Sequence, residues 1–152
     1  METPSEVVEA FEAAVGSALR EMAGVEAFPR SVHPAGNENA FGDLSAVLKL
    51  TAGADGCFVL SVPAPVADTL AKRILGEVIP EPDPTMIRDC LGEVANVIAG
   101  QAKSLLSGTQ YHFRFATPTV VEGRPADVGA SDWVVEFASD IGEFTFHMCL
   151  NG

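Results

Sequence analysis

The sequence predicts an α+β protein in which one mostly antiparallel sheet carries helices packed over one face. Two pairs of strand-like segments flank the turns at 52–56 and 139–142, and each pair is typical of a β-hairpin. Three further segments carry apolar residues at helical spacing, and the longest, 85–106, has one apolar stripe that can face a sheet. These observations together define the expected fold class.

Each predicted helix has a recognisable start or stop. The first follows a capping-box signal at residues 3–6, with proline expected at the first helical position, and runs to Gly24. The second, 66–75, is stopped by Gly76. The third begins at Thr85, after a proline-rich break at 80–84, runs to about Leu106 and ends at Gly108.

The predicted strands are short and mostly alternate between apolar and polar residues. Their ranges are 44–51, 57–62, 112–115, 119–121, 133–137 and 143–150. Segment 28–42 has prolines, glycine and asparagines without periodicity, so it is either an irregular connection or a poorly formed strand.

Length and composition favour one cytoplasmic domain spanning residues 1–152. A hydrophobic content of 47% is enough for a core, and no apolar run approaches the roughly 20 residues that span a bilayer. The first basic residue is Arg20, so the N-terminus does not resemble a secretory signal. The three cysteines (Cys57, Cys90 and Cys149) have neither disulfide nor metal spacing.

The net charge limits the possible partners. A formal charge of −12 argues against nucleic acid, whose binding depends on clustered lysine and arginine. The same charge is compatible with a partner that has a basic surface, although acidity alone chiefly affects solubility.

One side of the long helix combines acidic, amide and small residues. At about 100° per residue these fall on one stripe, called the outward stripe below. Its members are Asp89, Glu93, Asn96, Gly100 and Lys103. A separate apolar stripe consists of Ile87, Leu91, Val94, Ile98 and Leu105. Glu93 and Asn96 stand at i and i+3, so their side chains are neighbours. A helix-interior glycine costs roughly 1 kcal/mol relative to alanine, so Gly92 and Gly100 indicate close packing or close approach by another molecule.

Three motifs extend this stripe into a longer pattern. They are Asp89-x-x-x-Glu93-x-x-Asn96, Ile98-Ala99-Gly100-x-Ala102-Lys103 and Pro118-Thr119-Val120-Val121-x-Gly123. The pattern resembles the CheX-like members of the CheC/CheX/FliY group of bacterial chemotaxis phosphatases. The upstream helix, hairpin and second helix are similar too, so the resemblance covers residues 5–150. The first helix has glutamates but no asparagine, which favours the CheX type with one motif per chain.

The resemblance implies a CheC/CheX-like fold and a phosphatase that acts on the aspartyl-phosphate of a CheY-type response regulator. Glu93 would dock on a lysine of the regulator, and Asn96 would orient the attacking water. Asp89, Gly100 and Lys103 are assigned to partner binding; Lys103 is otherwise a solvated residue or a partner for the acidic residues. The protein needs no cofactor of its own, since Mg²⁺ is expected on the regulator. A homodimer joined through the sheet is also implied.

Two other functions stay open at this point. The chain could be a non-catalytic adaptor of the same fold that binds a receiver domain or a flagellar-switch component. An unrelated small-molecule enzyme finds no support in the sequence, which lacks clustered histidines and phosphate-binding glycine loops. Exposure of both Glu93 and Asn96 favours catalysis, whereas an Asn96 that is buried or covered by segment 28–42 favours the adaptor.

Cysteine and histidine chemistry receives little support. Cys90 lies beside Asp89 but has no histidine near it in sequence, so a small core residue is favoured over a nucleophile. His147 and Cys149 have strand spacing, and without further ligands they indicate sheet packing rather than a metal site. His33 and His112 have no visible partner in the sequence.

Overall fold

The structure is a computed structural model that describes residues 4–34, 41–53, 55–126 and 133–151. Over these residues it has three α-helices and seven strands, with a short 3-10 turn at Gly76–Val78. The helices are α1 (Ser5–Ala23), α2 (Ala64–Leu75) and α3 (Pro84–Leu105). The strands are β1 (Ala27–Pro34), β2 (Leu44–Ala52), β3 (Asp55–Val62), β4 (Arg114–Phe115), β5 (Thr119–Glu122), β6 (Trp133–Ser139) and β7 (Phe144–Asn151).

The strands form one open sheet in the order β1-β6-β7-β3-β2-β4, and β5 also pairs with β2. Every one of these pairings is antiparallel. Both predicted hairpins are present, as β2–β3 and β6–β7. The predicted fold class, an α+β protein with an antiparallel sheet, is therefore confirmed.

The helices cover one face of the sheet. Alternation along β3 directs Phe58, Leu60 and Val62 toward the helices, where they join the main apolar core. Phe11 of α1 stacks on Phe58, with 4.1 Å between ring centroids. α3 packs against α1 and α2 and lies over β2 and β5. It is thus held on its inner side by neighbours on both flanks.

The opposite face of the sheet has a smaller apolar cluster. Cys57 faces Cys149 across the β3–β7 pair, and both are buried beside Val59. Burial, with a smaller contribution from Cys149, raises the pKa of the Cys57 thiol to about 11, so that thiol stays protonated at neutral pH. Phe41 covers this face by stacking on His147.

β1 resolves one alternative that the sequence left open. Residues 27–34 form a strand paired with β6, with an irregularity between Pro29 and Ser31. The first part of segment 28–42 is therefore a strand at the sheet edge, whereas residues 35–40 lie outside the described residues.

Some predicted boundaries were wrong by a few residues. Pro4 is the N-cap of α1 rather than its first residue, and its side chain makes no capping hydrogen bond; residue 3 of the predicted capping box lies outside the described part. α2 begins at Ala64, because proline is tolerated in a first helical turn. Strand β4 contains only Arg114–Phe115 of the predicted 112–115. No helix in the described ranges is both long and apolar enough to cross a membrane.

Candidate functional site

α3 is fixed at its start by a cap and along its length by packing. The Asp83 carboxylate accepts a hydrogen bond from the Met86 N–H at 2.8 Å, and Pro84 occupies the first turn, one residue before the predicted start. Its buried residues recur at helical spacing: Cys90, Leu91, Val94, Ala95, Ile98, Ala99 and Ala102. Because this inner side is packed, the opposite side of α3 has a defined orientation toward solvent.

The outward stripe is exposed, as the sequence predicts. All five members, Asp89, Glu93, Asn96, Gly100 and Lys103, are exposed. Residues at i and i+3 have Cβ atoms about 5–6 Å apart, so the Glu93 carboxylate and the Asn96 carboxamide are neighbours. Within the described ranges, no hydrogen bond or ion pair engages either side chain. Both groups are therefore available to another molecule.

The predicted apolar stripe is correct except at its ends. Leu91, Val94 and Ile98 are buried, but Ile87 is only half-buried. Leu105 is 53% exposed, because it lies at the last residue of α3, beside a groove between α1 and α3. The next residue, Leu106, is buried in the apolar core instead.

The motif after α3 supports the helix from the side. Glu122 of β5 forms an ion pair with Arg88 at 3.1 Å. An added Cβ at Gly92 would lie 3.6 Å from Val120, which is ordinary contact, so Gly92 faces β5. Gly123 ends β5 with its N–H donating to the Asp43 carbonyl at 2.8 Å. The 118–123 segment thus positions α3 rather than forming part of the exposed site.

Gly100 has a different environment from Gly92. A Cβ built on Gly100 would meet no atom within 4 Å among the described residues, so packing inside the chain does not explain this glycine. The sequence suggests two reasons for a glycine inside this helix, close packing or close approach by another molecule, and for Gly100 the second is left.

Replacing Gly100 with alanine is expected to raise the free energy of unfolding by up to about 1 kcal/mol, because the helix gains propensity and no contact is disturbed. Urea unfolding followed by circular dichroism measures this. Gly56→Ala is the opposing control: it has a φ of 134° and an added Cβ would lie 1.9 Å from the Cys149 carbonyl oxygen, so it should destabilise strongly. A destabilised Gly100→Ala variant would contradict the interpretation that Gly100 is not needed for packing inside the chain.

Cys90 is a core residue, as the sequence favours. Its side chain is buried on the inner side of α3. Burial, and then the negative charges of Asp89 and Glu93, raise the pKa of its thiol above the ordinary value. A thiol that stays protonated at neutral pH is a poor nucleophile.

Lys103 does not pair with the acidic residues of its own helix. It has no ion pair in the described structure. Instead it lines a cavity at the end of α3 together with His112 and Arg114. Sequence reasoning missed His112 and Arg114, because the chain leaves α3 and returns to this position through the pairing of β4 with β2, which has no local signal.

The other candidate ligands are engaged in packing. His147 is buried, stacks on Phe41 and shares a hydrogen bond with the Thr145 hydroxyl at 2.8 Å. Across the ranges that the structure describes, no group of three or more His, Cys, Asp or Glu residues is arranged to hold a metal ion. The His33 side chain lies outside the described residues.

Comparison with known proteins identifies the family to which this chain and its fold belong. The family model described as chemotaxis phosphatase CheX matches residues 44–145, more than half of the chain. A chemotaxis protein CheX from Desulfovibrio desulfuricans is 31% identical with a TM-score of 0.81, covering 96% of this chain and 99% of that chain. CheX from Vibrio vulnificus is 26% identical with a TM-score of 0.82, covering 96% and 99%.

A third structure shares the fold at lower identity. It is a CheX-CheY-BeF₃-Mg²⁺ complex from Borrelia burgdorferi, 22% identical with a TM-score of 0.74, covering 95% of this chain and 97% of that chain. No curated protein matches the chain. The chain belongs to the CheX family of chemotaxis phosphatases.

Proposed function

We propose that this protein hydrolyses the aspartyl-phosphate of a CheY-type response regulator. The observation that carries the proposal is the pair of Glu93 and Asn96, both exposed, adjacent and unengaged by the described residues, on a helix fixed by packing in a chemotaxis phosphatase family. The Borrelia burgdorferi complex, in which a CheX is bound to CheY with BeF₃ and Mg²⁺, supports the choice of partner.

The reaction needs positioning more than activation. In an acyl phosphate the phosphoryl group already has a good leaving group, so the barrier depends on placing water in line and balancing charge on the phosphoryl oxygens. The water oxygen bonds to phosphorus as the bond to the aspartate oxygen breaks. The aspartate leaves as a carboxylate, the water proton is released, and inorganic phosphate forms. The regulator supplies the Mg²⁺ that neutralises phosphoryl charge.

Asn96 orients the water in this proposal. A carboxamide both accepts and donates hydrogen bonds, so it can accept from the water and donate to a phosphoryl oxygen. It carries no charge at any relevant pH, whereas a carboxylate there would repel the phosphoryl group. Gly100, on the same stripe, leaves room for the regulator beside this amide.

Glu93 fixes the register of docking. Its carboxylate pairs with a lysine beside the regulator's phosphorylation site, and this contact brings Asn96, about 4.5 Å further along the helix axis, into the pocket. Asp89 lies one turn earlier and adds negative charge to the same side of α3.

The adaptor alternative is less well supported by the observed exposure. A buried or covered Asn96 would have favoured it, but Asn96 is exposed. The described part of segment 28–42 lies in β1, which pairs with β6, and at Phe41, which stacks on the sheet face away from the helices. These described residues therefore leave the outward stripe open.

A panel of receiver domains from the same genome tests the proposal. Each is phosphorylated with a small-molecule donor, and loss of the acyl phosphate is followed with and without the protein. We expect faster decay of at least one regulator. Binding to a phosphorylated regulator without any acceleration would favour the adaptor, and the phosphatase proposal would then be wrong.

We also propose that the protein forms a homodimer through the edge of its sheet at β1. This strand ends the sheet order and presents two exposed apolar side chains, Phe28 and Val32, at 59% and 42% exposure. An exposed apolar edge strand is a template for pairing with a second chain.

Light scattering after size exclusion tests this dimer. Wild type should have about twice the chain mass of 15.9 kDa, and the Phe28→Lys/Val32→Lys variant should be monomeric. Val78→Lys, at an exposed apolar residue of the 3-10 turn, should leave the dimer intact. A monomeric wild type, or a dimer that survives the double change, would refute the edge interface.

A further inference from the structure

A basic pocket lies at the C-terminal end of the outward stripe. Its cavity of about 620 Å³ is lined by Lys103, His112 and Arg114, all of them exposed. The other lining residues supply hydroxyl groups and an apolar floor: Thr51, Ser107, Tyr111, Leu106, Phe113 and Phe115. No carboxylate is among the described residues that line it.

The concentration of positive charge here is unusual for this chain. The sequence has only nine lysine and arginine residues against 21 acidic residues. Five of the nine are engaged in ion pairs elsewhere on the surface. Lys103 and Arg114 have no ion pair within the described ranges, yet they line the same cavity. The helix dipole explains a lysine in the last turn of α3, but it does not explain Arg114 or His112, which lie outside the helix.

The basic pocket is close to the proposed site. Lys103 belongs to both, and it lies seven residues from Asn96, or roughly 10 Å along the helix axis. A standard protein interface covers about 800 Å² on each partner, which corresponds to a disc of roughly 16 Å radius. A receiver domain centred on Asn96 therefore covers the mouth of the basic pocket.

If the regulator covered Lys103 and Arg114 without supplying a counter-charge, the complex would be weakened, because an unpaired charge taken out of water is costly. We propose that the basic pocket receives acidic side chains of the docked regulator. This inference rests on the proposed function and specifies the partner. The cognate regulator has a carboxylate patch about 15 Å from its phosphorylation-site lysine, which matches the ten-residue span from Glu93 to Lys103.

The docking surface is then polarised along α3. Its acidic end, Asp89 and Glu93, faces the lysine of the regulator, and its basic end faces the carboxylates. A regulator docked in the reverse direction would bring like charges together at both ends. The pocket thus sets orientation and discriminates between receiver domains that share the same phosphorylation chemistry.

Charge reversal in the basic pocket tests this inference. The probe is the regulator identified by the panel, activated with BeF₃ and Mg²⁺ for binding and phosphorylated for turnover. For Lys103→Glu/Arg114→Glu we expect at least a tenfold rise in Kd, chiefly through a slower association rate, and a fall in kcat/KM through KM. The difference from wild type should shrink in 0.5 M NaCl, because the salt screens the charges.

Lys49→Glu is the matched control. Lys49 is exposed and, in the described structure, has no ion pair. It belongs to β2, pairs with Cys57 of β3, and lies on the sheet face away from α3. This single lysine-to-glutamate change, which carries half the charge change of the double variant, should alter Kd less than twofold. Thermal melts of all variants establish that they are folded.

Two results would overturn the inference. One is a Kd within twofold of wild type for the double variant while Asn96→Ala still loses activity, which would leave the phosphatase proposal standing. The other is saturable binding of inorganic phosphate, lost in the double variant, with regulator affinity unchanged. The phosphatase proposal itself would instead be wrong if the wild-type protein were inactive or if the Asn96→Ala variant were fully active.

Discussion

Replacing Asn96 with alanine is expected to reduce stimulated dephosphorylation of the regulator by at least about 100-fold. The reason is that the carboxamide holds the attacking water in line, and misplacing a reacting group by about 1 Å already costs two orders of magnitude. Affinity should change less than twofold, because the interaction with the water strengthens in the transition state rather than in the ground-state complex. Decay of the phosphorylated regulator measures the rate, and titration with the BeF₃-activated regulator measures binding.

Gln101→Ala is the matched control for this variant. It removes a carboxamide from the same helix, but Gln101 is engaged by α1, donating to the Glu21 carboxylate at 2.8 Å. We expect near wild-type rates from it. An Asn96→Ala protein with undiminished activity, or with activity lost only in proportion to affinity, would show that Asn96 does not act on the water.

Glu93→Ala is expected to lose affinity and activity together. Truncating one partner of a buried, hydrogen-bonded charge pair costs about 2–5 kcal/mol, so Kd should rise by roughly 30-fold or more. Because Glu93 is exposed in the free protein, the free energy of unfolding should change by less than about 0.5 kcal/mol. Titration of the BeF₃-activated regulator and chemical denaturation make these two measurements.

Glu77→Ala removes the same charge from the exposed 3-10 turn, which is not part of α3, and should bind normally. This control separates the local contact of Glu93 from the overall net charge of the protein. A Glu93→Ala variant that binds with unchanged affinity but turns over slowly would place Glu93 in the chemical step rather than in docking.

The sequence predicts the outward stripe well because its signal is local. Helical periodicity alone separates Asn96 and Glu93 from the buried Leu91 and Val94, and neither assignment depends on distant parts of the chain. The hairpins are equally local, since each turn joins the two strands that it pairs. The catalytic and docking roles stay predictions that the described variants test.

Features that depend on distant pairing were harder to predict. The sequence does not distinguish β1 from an irregular connection, because Pro29 and a register irregularity interrupt its alternation and its partner β6 is about a hundred residues away in the chain. His112 and Arg114 reach the end of α3 only because β4 joins the edge of β2. Leu105 has the correct helical phase but lies where the packed layer ends, so periodicity assigned it wrongly to the core.

A structure of the protein bound to its regulator with BeF₃ and Mg²⁺ tests the central claim most directly. We expect the Asn96 carboxamide to enter the phosphorylation pocket and to lie about 3–4 Å from the fluorides or from a water in line with the aspartate. The Glu93 carboxylate should contact the regulator's lysine in the same complex. A complex in which the outward stripe faces solvent, with the regulator bound elsewhere, would contradict the account.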